Sequence, residues 1–83
     1  MITHEWIPDP NINAVKFFLK NGNLQKIVLD RDEGQDRYII LLIDEIIIAT
    51  NFDNKTELKF TSCEDFFNWI QTYKRCHLIV KLF

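Results

Sequence analysis

The sequence predicts a small α+β domain: an antiparallel sheet of about five strands with two helices packed on one face. Three observations carry this reading. Two segments, near 12–19 and 66–73, place apolar residues at helical spacing. Between and after them, short segments rich in Ile, Val, Leu and Phe are separated by turn residues. The chain has 83 residues, 47% hydrophobic and 27% charged, which suits a single domain, 1–83, with one core. A chain of this size buries only about 60–65% of the surface its unfolded form exposes, so a deep substrate cavity is not expected.

The elements follow in the order helix, four strands, helix, strand. Residues 1–9 are read as an N-terminal arm or a short strand anchored by Trp6 and Ile7, and Pro8 and Pro10 impose an extended turn. Asp9 is the expected N-cap of the first helix, with Pro10 at its first position. Asn21-Gly22 is its stop. Ile12, Val15, Phe18 and Leu19 share one face of that helix and Asn13, Lys16 and Lys20 the other. A hairpin of 15–19 with 24–29 competes with it, but would point Phe17 and Phe18 to opposite faces and set Lys26 among apolar partners. Residues 25–30 form a strand, 31–36 a charged turn around Gly34, and 37–43 the antiparallel partner.

Residues 38–49 read YIILLIDEIIIA, an apolar run broken only by Asp44 and Glu45. The run is expected to be the core of the sheet. As one strand, 38–50 would span more than ~40 Å, about twice the usual length. A break or bulge at Asp44-Glu45 is therefore expected. A two-residue hairpin there lacks the Gly or Asn that such turns favour. Residues 46–51 continue as a strand, Asp53-Asn54 turns the chain, and 56–60 returns with Leu58 and Phe60 inward. Thr61 and Ser62 each have capping-box spacing to an acid. The helix they open carries Phe66, Phe67, Trp69, Ile70 and Tyr73 on one face, with Lys74 and Arg75 in its last turn. Residues 77–83 form the last strand, with Leu78, Val80 and Leu82 on one face.

Composition excludes several classes. Ten Lys and Arg against twelve Asp and Glu give a net charge of -2, and the basic residues are scattered along the chain. This disfavours nucleic-acid binding, which needs a basic stripe. No run approaches the ~20 apolar residues of a membrane span. Residues 1–10 lack the pattern of a secretory leader, so a cytoplasmic protein is expected. Cys63 and Cys76 are then expected as free thiols. Abundant Ile, Asn, Lys and Phe with scarce Ala and Gly fit AT-rich coding and a bacterial, phage or plasmid origin.

The candidate chemistry is sparse. Asp30, Asp32, Gly34 and Asp36 alternate as in a calcium loop, but Gln35 and Leu41 stand where that loop needs Gly and Glu. A solvated hairpin turn is the expectation. Asp44 and Glu45, being adjacent, point to opposite faces of a strand and cannot pair as acid and base. Cys63 begins a helix, where the dipole lowers a thiol pKa, yet its phase puts it on the apolar face as an inert thiol. Cys63, Cys76, His4 and His77 lack chelating spacing for zinc. No catalytic residue, metal ligand or cofactor is assigned.

The functional expectation is a non-catalytic protein-binding module, of the inhibitor, immunity or counter-defence type, that occupies a protein partner. Its expected contact residues are Trp6, Asp30, Asp32, Glu33, Asp36, Asp44 and Glu45, an acidic set suited to a basic partner. One alternative is a homodimer or larger homo-oligomer joined through the Ile-rich or C-terminal strand. Another is a small metal-binding protein or enzyme using the acidic loop 30–36.

Overall fold

The computed structural model describes residues 3–82; residue 83, the end of the expected last strand, lies outside the described residues. The chain runs β1 (Thr3–Pro8), α1 (Ile12–Lys20), β2 (Leu24–Asp30), β3 (Gln35–Ile43), β4 (Ile46–Asn51), β5 (Glu57–Phe60), α2 (Cys63–Ile70) and β6 (Arg75–Leu82). All strands join one antiparallel sheet in the order β1-β6-β2-β3-β4-β5. The α+β class is as predicted, with six strands where about five were expected. The extra strand is β1, the segment read as an arm or short strand. It pairs with β6 from Thr3↔Leu82 to Pro8↔His77. Pro8 has no N–H to donate, which an edge strand tolerates. Among the described residues no helix is long and apolar enough to cross a membrane.

Connectivity explains why both helices share a face. β1 and β2 both run antiparallel to β6 and so parallel to each other, with α1 joining them. β5 and β6 are also mutually parallel, joined by α2 across the width of β4, β3 and β2. The two crossovers start on oppositely directed strands and travel in opposite lateral directions. A single right-handed rule then places both helices on one side of the sheet. Lys16 of α1 pairs with Glu64 of α2 at 2.9 Å.

The first helix begins two residues later than the sequence suggests. Asn11 is its N-cap, with its side-chain oxygen accepting from the Ala14 N–H at 2.8 Å. Asp9 is not the cap. Its backbone N–H extends the sheet to the Cys76 carbonyl at 2.7 Å, and its carboxylate meets Arg75 at 3.2 Å. At the other end the Gly22 N–H reaches the Leu19 carbonyl and the Asn23 N–H reaches that of Phe18. This is a Schellman stop, with Gly22 at φ 71. It decides the segment as helix against the competing hairpin.

The second helix starts at Ser62, whose hydroxyl accepts from the Asp65 N–H at 3.1 Å. It ends at Ile70, short of the expected Arg75. The Thr72 hydroxyl takes the Trp69 carbonyl at 2.7 Å, and the Lys74 N–H bonds the Asp30 carbonyl at 2.9 Å. Pairing with β2 therefore claims the chain from Lys74 onward, and Lys74 and Arg75 do not cap the helix.

Between sheet and helices lies one core. Ile27, Leu29, Tyr38, Ile40, Ile47, Ala49, Leu78 and Val80 of the sheet meet Val15 and Leu19 of α1 and Phe66 and Ile70 of α2. Full burial of each large side chain contributes roughly 1.5–3 kcal/mol. Trp69 packs edge-on against Tyr38 at 4.9 Å and lies 5.2 Å from the Phe60 ring. The aromatic stripe of the second helix is thus core. The Ile-rich run is only half core. Tyr38, Ile40, Ile47 and Ala49 are buried, but Ile39, Leu41, Leu42, Ile43 and Ile46 are exposed. For Ile39, Leu41, Ile43 and Ile46 the expectation that the whole run lies inside fails because two helices cover one face and leave the other open; Leu42, on the covered face opposite Ile47, is exposed near the turn end of the hairpin.

Candidate functional site

Strand alternation assigns side chains to that open face. Reading across the sheet, one row holds Trp6, Ile79, Lys26, Ile39, Thr50 and Glu57. The next row toward the β3–β4 turn holds Leu41, Ile48 and Lys59, and the last holds Ile43 and Ile46. On the other side lie His77, Val28 and Arg37, with Phe52 joined to Arg37 through its N–H to the Arg37 carbonyl. Among the described residues no helix covers these rows. Trp6 is 59% exposed, Leu41 52% and Ile43 50%. Val28, at 2%, is the exception, shielded by its neighbours on the face. A contiguous apolar patch of this kind is unusual on a protein that acts alone.

The charges are sorted by face. Away from it, Lys16, Arg31 and Arg75 pair with Glu64, Asp36 and Asp9 at 2.9, 3.2 and 3.2 Å. On it, among the described residues, Lys26, Arg37 and Lys59 have no carboxylate within 4.0 Å. Glu57 lies two residues from Lys59 on β5, and Asp30, on the same face by strand alternation, lies diagonal to Arg37. Lys26 and Lys55 stand over the Phe52 ring at 5.9 and 5.1 Å. The Trp6 ring leans on His77 at 5.9 Å. A protein of net charge -2 thus presents a face that is apolar with a basic margin.

The seven residues singled out from sequence are not brought together. Trp6 is on the open face. Asp30, Asp32, Glu33 and Asp36 belong to the β2–β3 hairpin end, and Asp44 and Glu45 to the β3–β4 turn. These two groups sit at opposite ends of β3, roughly 26 Å apart at ~3.3 Å per residue. Asp30 accepts from the Gln35 amide at 2.9 Å and lies 3.6 Å from His77. Asp36 accepts from the Tyr73 hydroxyl at 3.2 Å and pairs with Arg31. Both stabilise the hairpin. Asp32 and Glu33 are exposed, with Lys74 4.0 Å from Asp32. Among the described residues no three His, Cys, Asp or Glu gather to hold a metal.

Nor is a nucleophile poised. Cys63 is half-buried, and burial pushes its thiol pKa up, with the Glu64 charge adding to it. Cys76 is buried in the core and pushed up to about 12, by burial first and then by Asp9 and Asp30. A protonated thiol is a poor nucleophile and metal ligand. His77 is on the opposite face of the sheet from Cys76.

Sequence reasoning missed Lys26, Arg37 and Lys59 and the exposure of Ile39, Leu41, Ile43 and Ile46. The available signal was that each of the three cations takes the outward position of its strand. No protein-family model, curated protein or solved structure matches the chain.

Proposed function

We propose that the chain is a small non-catalytic protein-binding module whose open sheet face occupies a protein partner. Inhibitors, immunity proteins and counter-defence proteins of bacteria, phages or plasmids act in this way. The observation that carries the reading is the exposure of Ile39, Leu41, Ile43 and Ile46 together on β3 and β4, with Trp6 exposed on the same face three strands away. Such a surface gains free energy from being covered, and the centre of an interface is where large apolar side chains belong. The free thiols Cys63 and Cys76 accord with a cytoplasmic setting.

The competing readings have less behind them. β3, β4 and β6 are each paired on both sides, so none offers an edge for joining copies. The two edge strands are blunted, β1 by Pro8 and β5 by its length of four residues. The carboxylates of 30–36 are spent on Gln35, Arg31 and Tyr73 in part and do not converge.

The test is a double substitution, Leu41→Asp with Ile43→Asp. Both side chains point to solvent, so the thermal melt should match the parent. Co-purification of a partner from the native host should be lost. A variant that retains the partner at the parent's level sinks the reading.

A further inference from the structure

Resting on that reading, we infer that the partner's contacting element is an acidic amphipathic helix, seated along the β3–β4 hairpin on the open face. Three observations lead there.

The first is charge. The apolar stripe of Ile39, Leu41, Ile43, Ile46 and Ile48 is flanked by Lys26 on β2 and Lys59 on β5, with Arg37 at one end. Among the described residues these three cations have no carboxylate within 4.0 Å. Among the described residues the one ion pair on this face is His77 with Asp30, at the end of β2 away from the stripe. Unpaired cations around an apolar centre complement a partner with acids around an apolar centre.

The second is width. β2 and β5 are three strand spacings apart, about 14 Å at ~4.8 Å each. An α-helix with side chains is about 10–12 Å across. A helix laid on β3 and β4 would bury its apolar stripe on the isoleucines. Carboxylates on its two shoulders would then meet Lys26 and Lys59. A partner strand is a poorer fit, because strand addition needs a free sheet edge and both edges here are short or blunted.

The third is what the face repels. A second copy packed face to face would bring a second set of Lys26, Arg37 and Lys59 to the same seam, with Glu57 and Asp30 as the acids of that face to answer them. Single-stranded nucleic acid needs bare aromatic faces for stacking. The Phe52 ring is already capped by Lys26 and Lys55, and most of the patch is aliphatic.

The test uses the intact chain and designed probes. The first probe is a helical peptide of about five turns with leucines along one stripe and glutamates beside it. The second has lysine at each glutamate position. The others are a single-stranded thymidine oligonucleotide and phosphatidylserine vesicles. Binding is read by anisotropy, and its location by amide shifts in NMR. The acidic peptide should bind, shift β3 and β4, and weaken as salt rises. Lys26→Glu, Arg37→Glu and Lys59→Glu together should weaken it by about tenfold or more. The same charge swap should gain affinity for the lysine peptide, which a merely unfolded variant would not. The milder set Lys26→Gln, Arg37→Gln and Lys59→Gln should lose the acidic peptide without that gain.

If the lysine peptide binds the parent as well or better, with shifts on the same strands, the partner's sign is wrong while the interface stands. Capture of the oligonucleotide or vesicles without the acidic peptide also overturns the inference. So does self-association abolished by Leu41→Asp, which would make the occupant a second copy. Failure of the acidic peptide to bind, with Leu41→Asp and Ile43→Asp leaving the native partner bound, removes both this inference and the interface reading.

Discussion

Ile43 lies directly opposite Ile46 at the end of the β3–β4 hairpin, which leaves only Asp44 and Glu45 to turn the chain. Both are in the left-handed region, at φ 51 and 66. The sequence argued for a break or bulge because a two-residue turn wants Asn-Gly. The tight turn forms anyway, because pairing six residues of β3 with β4 outweighs the local conformational cost. That cost is about 1–2 kcal/mol for a non-glycine residue in this region. Asp44→Asn with Glu45→Gly should therefore stabilise the protein by about 1 kcal/mol or more. In a domain this size that raises Tm by about 4–8 °C per kcal/mol. Calorimetry of the double variant checks it. An unchanged or lower Tm would mean that the two carboxylates hold the turn in a way the backbone does not reveal.

The cap of α1 gives a second prediction. Asn11→Ala should cost about 1 kcal/mol, because the Ala14 N–H loses its acceptor. Asp9→Gly should be close to neutral. It removes an ion pair with Arg75 that is more than half exposed, and it relieves a residue at φ 45. Urea midpoints for the two variants decide between Asn11 and Asp9. A larger loss at Asp9 would restore it as the residue that starts the helix.

Much of the fold was legible because its signals are local. Gly34 marks the β2–β3 turn, Gly22 the helix stop, and Ser62 with Asp65 the start of α2. The parts that were not legible depend on contacts far along the chain. Residues 3–8 form a strand only because β6, some seventy positions later, offers a partner, and that same pairing withdraws Asp9 from capping and Arg75 from α2. The open face was hidden for a different reason. In β3 both faces are apolar, and a two-sided apolar strand reads as fully buried. Only the topology reveals that both helices fall on one side. Of the residues named from sequence, Trp6 lies on the open face; the acids were named for their charge, and the fold spreads them over both ends of the sheet.

Adjacent residues on β3 test the division between core and open face. Ile40 is buried among Leu24, Ile47 and their neighbours, and Leu41 points the other way. Ile40→Ala should cost about 2–5 kcal/mol through lost burial and a cavity. Leu41→Ser should stay within about 0.5 kcal/mol. Chemical denaturation of the purified protein measures both. A loss at Leu41 comparable to that at Ile40 would show that something in the isolated chain covers the face.

Cys76 makes stability depend on alkaline pH. Its side chain is 3% exposed, and burial, then Asp9 and Asp30, push the thiol up to about 12 from an ordinary value near 9. Below pH 9 both folded and unfolded chains hold the proton, and the contribution is fully present. Between 9 and about 12 the unfolded thiol ionises while the folded one does not, so stability falls as pH rises. The limiting slope is about 1.4 kcal/mol per pH unit. Tyr73, raised chiefly by burial and then by Tyr38 and Asp36, adds a loss of the same sign above pH 10. Lysines titrate in the same range, so the informative quantity is a difference. Between pH 9 and 10 the parent should lose about 1 kcal/mol more than Cys76→Ala does. Iodoacetamide at pH 8.5 should modify half-buried Cys63 in the native protein and reach Cys76 only in urea. Parallel pH profiles for parent and variant, or equal labelling of both thiols, would place Cys76 in contact with solvent and contradict its position on the core side of β6.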